Sequence, residues 1–307
     1  MKIDFLVNEV AGGWEPTDDR LGGTELSVVK WAEELAERGH EVHVFRNGRD
    51  DRWKEIVGDA GSLNYWPREM YRGGGDVCIN VKSSDIAPKE PTLYLTNETN
   101  ASALYLSAYD GVIWPSQWAA DNIPVNNKNV YILPHGYDPK ELYPEEKIPK
   151  MCLYASSPDR GLDALLEAWP KVYAKHPDAQ LYVTYGAKYM DIPGVVFMGA
   201  VDTKTMDELY RMADVWCHPC KGGELYCITG INAQVSGCVP VIIPTMALAE
   251  TVRHGIFATK EDYAEILTNV LGDEPLKSEI RAKLAAEKYP TWEDTAIQLE
   301  KLCRKVL

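Results

Sequence analysis

Apolar residues along this chain follow two alternating rhythms: short runs rich in Val, Ile, Leu and Tyr, and longer stretches in which they recur every three to four positions. That alternation is the mark of parallel α/β sheets. In the first half it predicts strands at 2–8, 41–45, 77–80, 92–95, 111–114 and 130–133. A helix is expected at 25–38, with Val28, Val29, Ala32, Leu35 and Ala36 on one face and Gly39 as its stop. A proline- and charge-rich passage, 134–149, breaks the rhythm and reads as an interdomain linker. The alternation restarts with a strand at 151–155, a helix at 161–175, strands at 180–185 and 195–198, a helix at 204–213 and a strand at 215–218. A helix at 226–236, a strand at 239–243 and a helix at 247–254 follow, and three helical stretches close the chain, the last at 291–306. The expected architecture is α/β, two Rossmann-like domains on parallel sheets.

A chain of 307 residues can supply two such domains, each with its own core. Charge narrows the partners. With 46 acidic and 32 basic residues the net charge is −14, and both halves are acidic. Proteins that grip phosphate backbones present a basic face, so nucleic acid is disfavoured and attraction to anionic lipid is weakened. No apolar run reaches the roughly 18 to 20 residues of a bilayer span. The start, Met1-Lys2-Ile3-Asp4-Phe5, reads as a strand rather than a secretory leader. Seven scattered cysteines suit reduced thiols in a cytoplasm. Cys217 and Cys220 form one C-x2-C pair without a second at zinc-ribbon spacing, so no metal is expected.

Ligands of open parallel sheets bind beyond the C-terminal strand ends, in the loops that lead into helices. Four loops meet that criterion. The first runs from Gly12-Gly13 to Leu21-Gly22-Gly23-Thr24-Glu25, where paired glycines before a helix either let backbone N–H groups approach an anion or make a tight turn capped by Thr24. The second is Ala155-Ser156-Ser157-Pro158-Asp159-Arg160-Gly161, whose Arg160 either holds a diphosphate with its planar fork or pairs with Asp159 or Asp163. The third runs from His218-Pro219-Cys220-Lys221-Gly222-Gly223-Glu224 through Leu225, Tyr226, Cys227 and Ile228 to Asn232. Glu224 there either caps a helix or accepts strong bonds from sugar hydroxyls. In the fourth, 247–252, Glu250 reads as a first-turn acid. His135, in the linker, reads as structural.

Together these loops resemble glycosyltransferase family four, the retaining GT-B enzymes that use nucleoside-diphosphate sugars. Gly22-Gly23-Thr24-Glu25 followed by Leu35-Ala36-Glu37-Arg38-Gly39-His40-Glu41-Val42 matches the family's opening helix and next strand. Pro134-His135-Gly136-Tyr137-Asp138 matches its P-N-G-V-D linker, with histidine in place of asparagine. Ser156 to Leu162 matches S-S-P-x-R-G-L, Leu209 to Val215 matches L-Y-x-x-A-D-V, and Tyr289-Pro290-Thr291-Trp292-Glu293 echoes the closing helix. The E-x7-E motif keeps its first acid as Glu224, and its second has become Asn232.

The resemblance implies a GT-B chain whose two Rossmann-like domains face a central cleft. An acceptor-side domain at 1–134 and a linker at 135–149 would precede a nucleotide-sugar domain at 150–288, with a helix at 289–307 crossing back. It also assigns roles. Glu224 would bind the donor sugar and Asn232 the ribose, and the amides of Tyr226, Cys227 and Ile228 would face the distal phosphate. The loop from Met198 through Gly199 to Val201 would meet the base. The family commonly carries a histidine after a central strand of the first domain. Here that stretch, Tyr94 to Asn100, has none, which leaves Asn97 or Glu98 as its substitute.

The implied donor is a UDP- or GDP-type sugar and the acceptor a carbohydrate, glycolipid headgroup or small molecule. A helix N-terminus, Arg160 and Lys221 would neutralise the departing diphosphate without a metal. Two other readings stand beside this one: a catalytically weak sugar-nucleotide-binding protein, and a viral-type enzyme glycosylating modified DNA bases, which the acidity opposes. A nicotinamide oxidoreductase is least supported, since neither half carries G-x-G-x-x-G.

Overall fold

The computed structural model describes all residues except 9–12, 50–53, 58–60, 83–87, 100, 102–105 and 186–188, and only the backbone of 54–57. Gly12 and Asn100 of the sequence reading therefore lie outside the described residues. The chain divides into two compact units, Met1–Gly136 with Pro290–Leu307, and Tyr137–Tyr289.

The first unit comprises β1 (Lys2–Val7), α1 (Gly23–Glu37), β2 (Glu41–Arg46), β3 (Lys54–Val57), β4 (Ser62–Pro67), β5 (Val77–Val81), β6 (Thr92–Leu95), β7 (Gly111–Trp114), α2 (Gln117–Asn122) and β8 (Val130–Ile132). Its sheet runs β3-β4-β2-β1-β5-β6-β7-β8 and is parallel except where β3 pairs antiparallel with β4. The chain builds outward from β1 through β2, then returns to β5 on the other side, so the sheet switches direction between β1 and β5. The strands are apolar because both faces are covered: Ile3, Phe5 and Val7 enter one core, while Leu6 enters another with Phe45, Tyr71 and Cys78. The pattern did not single out β3 and β4.

The second unit comprises β9 (Ile148–Tyr154), α3 (Leu162–Lys175), β10 (Gln180–Thr184), β11 (Val195–Gly199), α4 (Thr203–Met212), β12 (Ala213–His218), α5 (Ile228–Val235), β13 (Val239–Ile242), α6 (Leu248–Thr251), β14 (Ile256–Phe257), α7 (Tyr263–Gly272) and α8 (Glu274–Ala286). Its sheet, β11-β10-β9-β12-β13-β14, is parallel throughout. It switches direction between β9 and β12. Cys152, Tyr154, Val215 and Cys217 pack into the core on one face, and Met151, Leu153, Trp216 and Cys220 into that on the other. The C-x2-C cysteines thus serve different cores.

The last helix, α9 (Trp292–Val306), returns to the first unit, where Trp292, Ala296, Leu299 and Cys303 share a core with Val28, Trp31 and Leu35 of α1. A capping box of Thr291 and Asp294 starts it. The passage read as a linker prepares that contact: a Cβ on Gly136 would stand 2.4 Å from the Trp292 nitrogen. His135 is buried, stacked on Trp31 with ring centroids 5.6 Å apart, and its Nδ1 lies 2.7 Å from Ser27 Oγ. Ser27 Oγ in turn donates to Gly23 O. Burial pushes the His135 imidazole down to about 4.

The unfolded chain, with an ordinary value near 6.5, therefore takes up a proton that the native state refuses. His135 contributes stability that is whole above about pH 6.5 and is lost as pH falls toward 4, about 3 kcal/mol in all. Asp4 acts with the opposite sign, because burial raises its carboxyl to about 6 and favours the native state in acid. Comparison with His135→Asn isolates the histidine. The gap in unfolding free energy between wild type and variant should narrow as pH drops from 6.5 to 4, and parallel pH profiles would contradict this.

Candidate functional site

The loops after β9 and β12 meet at the switch point of the second sheet. β9 ends at Tyr154, and Ser156 and Ser157 lead into a single 3-10 turn, Pro158–Arg160. The Tyr154 hydroxyl donates to Ser157 O at 2.8 Å and fixes the loop's departure. Gly161 follows with φ 112°, and a Cβ there would stand 2.0 Å from Pro219 O in the neighbouring loop. Only glycine lets the two loops approach this closely. Arg160 is thereby set beside the next turn, and its Nη1 donates to Gly222 O at 2.8 Å. Gly222 and Gly223 have φ of 134° and 83°, and a Cβ on Gly223 would collide with the Arg160 guanidinium.

Glu224 follows that turn, with its side chain 14% exposed. Its Oε1 lies 3.9 Å from Arg160 Nε and 3.6 Å from His218 Nε2. The carboxylate is thus oriented by two cationic or polar groups rather than used as a helix cap. The chain then turns through Leu225, which is buried, and Tyr226, whose carbonyl accepts from Thr251 Oγ1 at 3.4 Å. Cys227 adopts φ 85°, uncommon for a residue with a side chain, and precedes α5, which starts two residues later than the pattern predicts. Ile228 is the first residue of α5, and Asn232 is half-buried one turn along it.

The remaining predicted residues are placed as follows. Lys221 is exposed and paired with Asp163 in the first turn of α3, while Arg160 is the cation near Glu224. Gly199, φ 69°, ends the edge strand β11, two strands from β9, and leads to half-buried Val201. In the first unit, Gly22 is the N-cap residue of α1 without a side-chain cap and Gly23 its first residue. Asn97, after β6, donates from Nδ2 to Thr24 Oγ1 at 3.1 Å, and Glu98 stands 3.8 Å from Lys82 Nζ.

Sequence reasoning gave His218 no role. It is fully buried at the C-terminal end of β12, stacked on Trp216 at 4.9 Å, and neither ring nitrogen makes a hydrogen bond. Burial disfavours its charged form, but the neighbouring Cys220, Cys227 and Glu224 side chains prevail and hold its proton well above the usual histidine range. The Cys220 thiol is lowered: burial raises it, and contacts with His218 and Thr245 outweigh that. A titratable residue closing a buried strand, just before a proline, was the available signal. One metal-capable atom from each of His218, Cys220 and Glu224 lies within 4.8 Å of the others.

A family described as "Glycosyl transferases group 1" matches residues 150–273, the stretch that holds this cluster. A phosphatidyl-myo-inositol mannosyltransferase of Mycolicibacterium smegmatis is 26% identical over 297 residues, covering 77% of this chain and 76% of that protein. In sequence the chain is similar to these group 1 glycosyltransferases. The Mycobacterium tuberculosis mannosyltransferase of the same name is 31% identical over 106 residues, 32% of this chain, so the match spans only 28% of that relative's length. The fold is GT-B: Anabaena HepE, solved in complex with UDP and glucose, superposes with a TM-score of 0.74 over 99% of this chain and all of that one, at 14% identity. Among the described residues no helix is long and apolar enough to cross a membrane.

Proposed function

We propose that this chain transfers a hexose-type sugar, with retention, from a nucleoside-diphosphate sugar to a carbohydrate, glycolipid or small-molecule acceptor. The observation that carries this is the meeting of Arg160, the Gly222-Gly223 turn and Glu224 at the switch point of the second sheet. A guanidinium beside a glycine turn suits a diphosphate, and a carboxylate one residue on suits the hydroxyls of the attached sugar. As the diphosphate departs, negative charge grows on its bridging oxygen, and Arg160 with the α5 N-terminus would stabilise it. Asn232 would accept from the ribose as an amide, without charge assistance. The UDP and glucose bound by HepE and the mannosyl transfer named for the mycobacterial relatives support the donor class.

A thermal-shift screen over UDP- and GDP-sugars tests the proposal. At a hundred times its dissociation constant a true donor stabilises by about 2.7 kcal/mol, which should raise the melting temperature by about 5 °C or more. No shift with any nucleotide sugar would sink the proposal. A shift without transfer or donor hydrolysis would favour the weak binding protein, a reading motivated by Asn232 in place of an acid.

A further inference from the structure

We infer that His218, Cys220 and Glu224 form a binding site for a thiophilic divalent cation of the zinc class. Zinc takes imidazole nitrogen, thiolate sulfur and carboxylate oxygen together, and commonly takes three protein ligands with one position left open. Here one atom of each kind already lies within 4.8 Å of the other two, with Nε2 and Oε1 only 3.6 Å apart. The spacing is near that of ligands sharing one ion, so small side-chain rotations close the set.

Independent support comes from the imidazole. His218 is 0% exposed, and although Nε2 stands 3.6 Å from Glu224 Oε1, neither ring nitrogen reaches hydrogen-bond geometry. A buried polar group in that condition carries a desolvation cost, which a metal bond would relieve. Stacking on Trp216 fixes the ring, and alternation along β12 puts it on the face that holds Cys220. The thiolate is also provided for: the Gly222 backbone N–H donates to Cys220 Sγ at 3.4 Å, the outer-sphere bond that steadies a ligating sulfur. On binding, the thiol proton and any imidazole proton pass to solvent, leaving a thiolate, a carboxylate and a neutral imidazole around a doubly charged ion.

The ion takes no part in transfer. It occupies the carboxylate assigned above to the donor sugar, so under that reading ion and sugar exclude one another. The site itself stands without that reading, and its test uses no nucleotide. Metal-free protein is titrated with cadmium chloride while the thiolate-to-cadmium absorption is followed, and zinc chloride is then used in competition. Saturation at one ion per chain is expected. Cys220→Ser should lose the absorption, and His218→Asn, which removes a ligand, should weaken binding by at least the roughly 10- to 100-fold that loss of an outer-sphere partner costs.

X-ray absorption of the wild-type zinc complex needs no variant to fold. It should show sulfur at about 2.3 Å together with nitrogen or oxygen at about 2.0–2.2 Å. Absence of saturable binding, an absorption band unchanged in Cys220→Ser, or a coordination shell of sulfur alone would overturn the assignment.

Discussion

Replacing Glu224 with alanine should lower sugar transfer by roughly 10²- to 10³-fold while the circular-dichroism spectrum and melting temperature stay close to wild type. The expectation follows from how the carboxylate is held. Glu224 is mostly buried yet serves no cap, and its Oε1 is shared loosely between Arg160 and His218 at 3.9 and 3.6 Å. Loose partners leave the carboxylate able to accept from a ligand, where charge-assisted bonds exceed neutral ones about twofold. The backbone around it does not depend on the side chain: Glu224 O accepts from Ala247 N, and the preceding glycines set the turn. Glu224→Gln, which keeps the shape and loses the charge, should fall between wild type and alanine. The assay is transfer, or hydrolysis, of whichever nucleotide sugar gives the largest thermal shift. Turnover unchanged in Glu224→Ala would remove this residue from the proposed donor site.

Much of the fold was legible because parallel strands covered on both faces must be apolar at nearly every position. β5, Val-Cys-Ile-Asn-Val, is buried throughout and stands out in the sequence. β3 and β4 did not. β4, Ser-Leu-Asn-Tyr-Trp-Pro, mixes polar and aromatic residues and ends in proline, and β3 is a four-residue edge strand paired antiparallel. Local patterning carries little signal for such strands. The start of β12 was misplaced for another reason. Asp214 sits second in that strand, and a charged residue there argues for a loop unless a distant partner neutralises it.

The candidate site divides in the same way. Its glycines and Glu224 are visible as a cluster in sequence, because tight turns demand glycine. Which cation stands near Glu224 was not visible. Arg160 and Gly222 are 62 positions apart, and Lys221, next to the turn in sequence, pairs with Asp163 instead. His218 escaped notice because its exceptional property, complete burial without a hydrogen bond, exists only in three dimensions.

Asp214→Ala should destabilise the second unit by about 3–5 kcal/mol. Asp214 is buried and accepts from three directions: the Lys150 backbone N–H at 2.8 Å from β9, Lys277 Nζ at 2.6 Å and the Arg281 guanidinium, both from α8. The Lys277 side chain is only 2% exposed, and its other partner, Glu274, is 64% exposed at 2.9 Å. Without Asp214 an ammonium remains buried with its charge answered only from the surface, and a buried unpaired charge costs more than the pair gains. The reverse change is milder. In Lys277→Met the carboxylate keeps Arg281 and the Lys150 N–H, so the loss should be about 1–3 kcal/mol. Removing both charges, as Asp214→Ala with Lys277→Met, should cost less than the two single losses added together, because neither charge of the pair is then left stranded. Urea unfolding of the four proteins measures all three values. Equal single costs, or a double variant that is simply additive, would mean that the L-Y-x-x-A-D-V aspartate does not anchor α8 to the sheet through this pair.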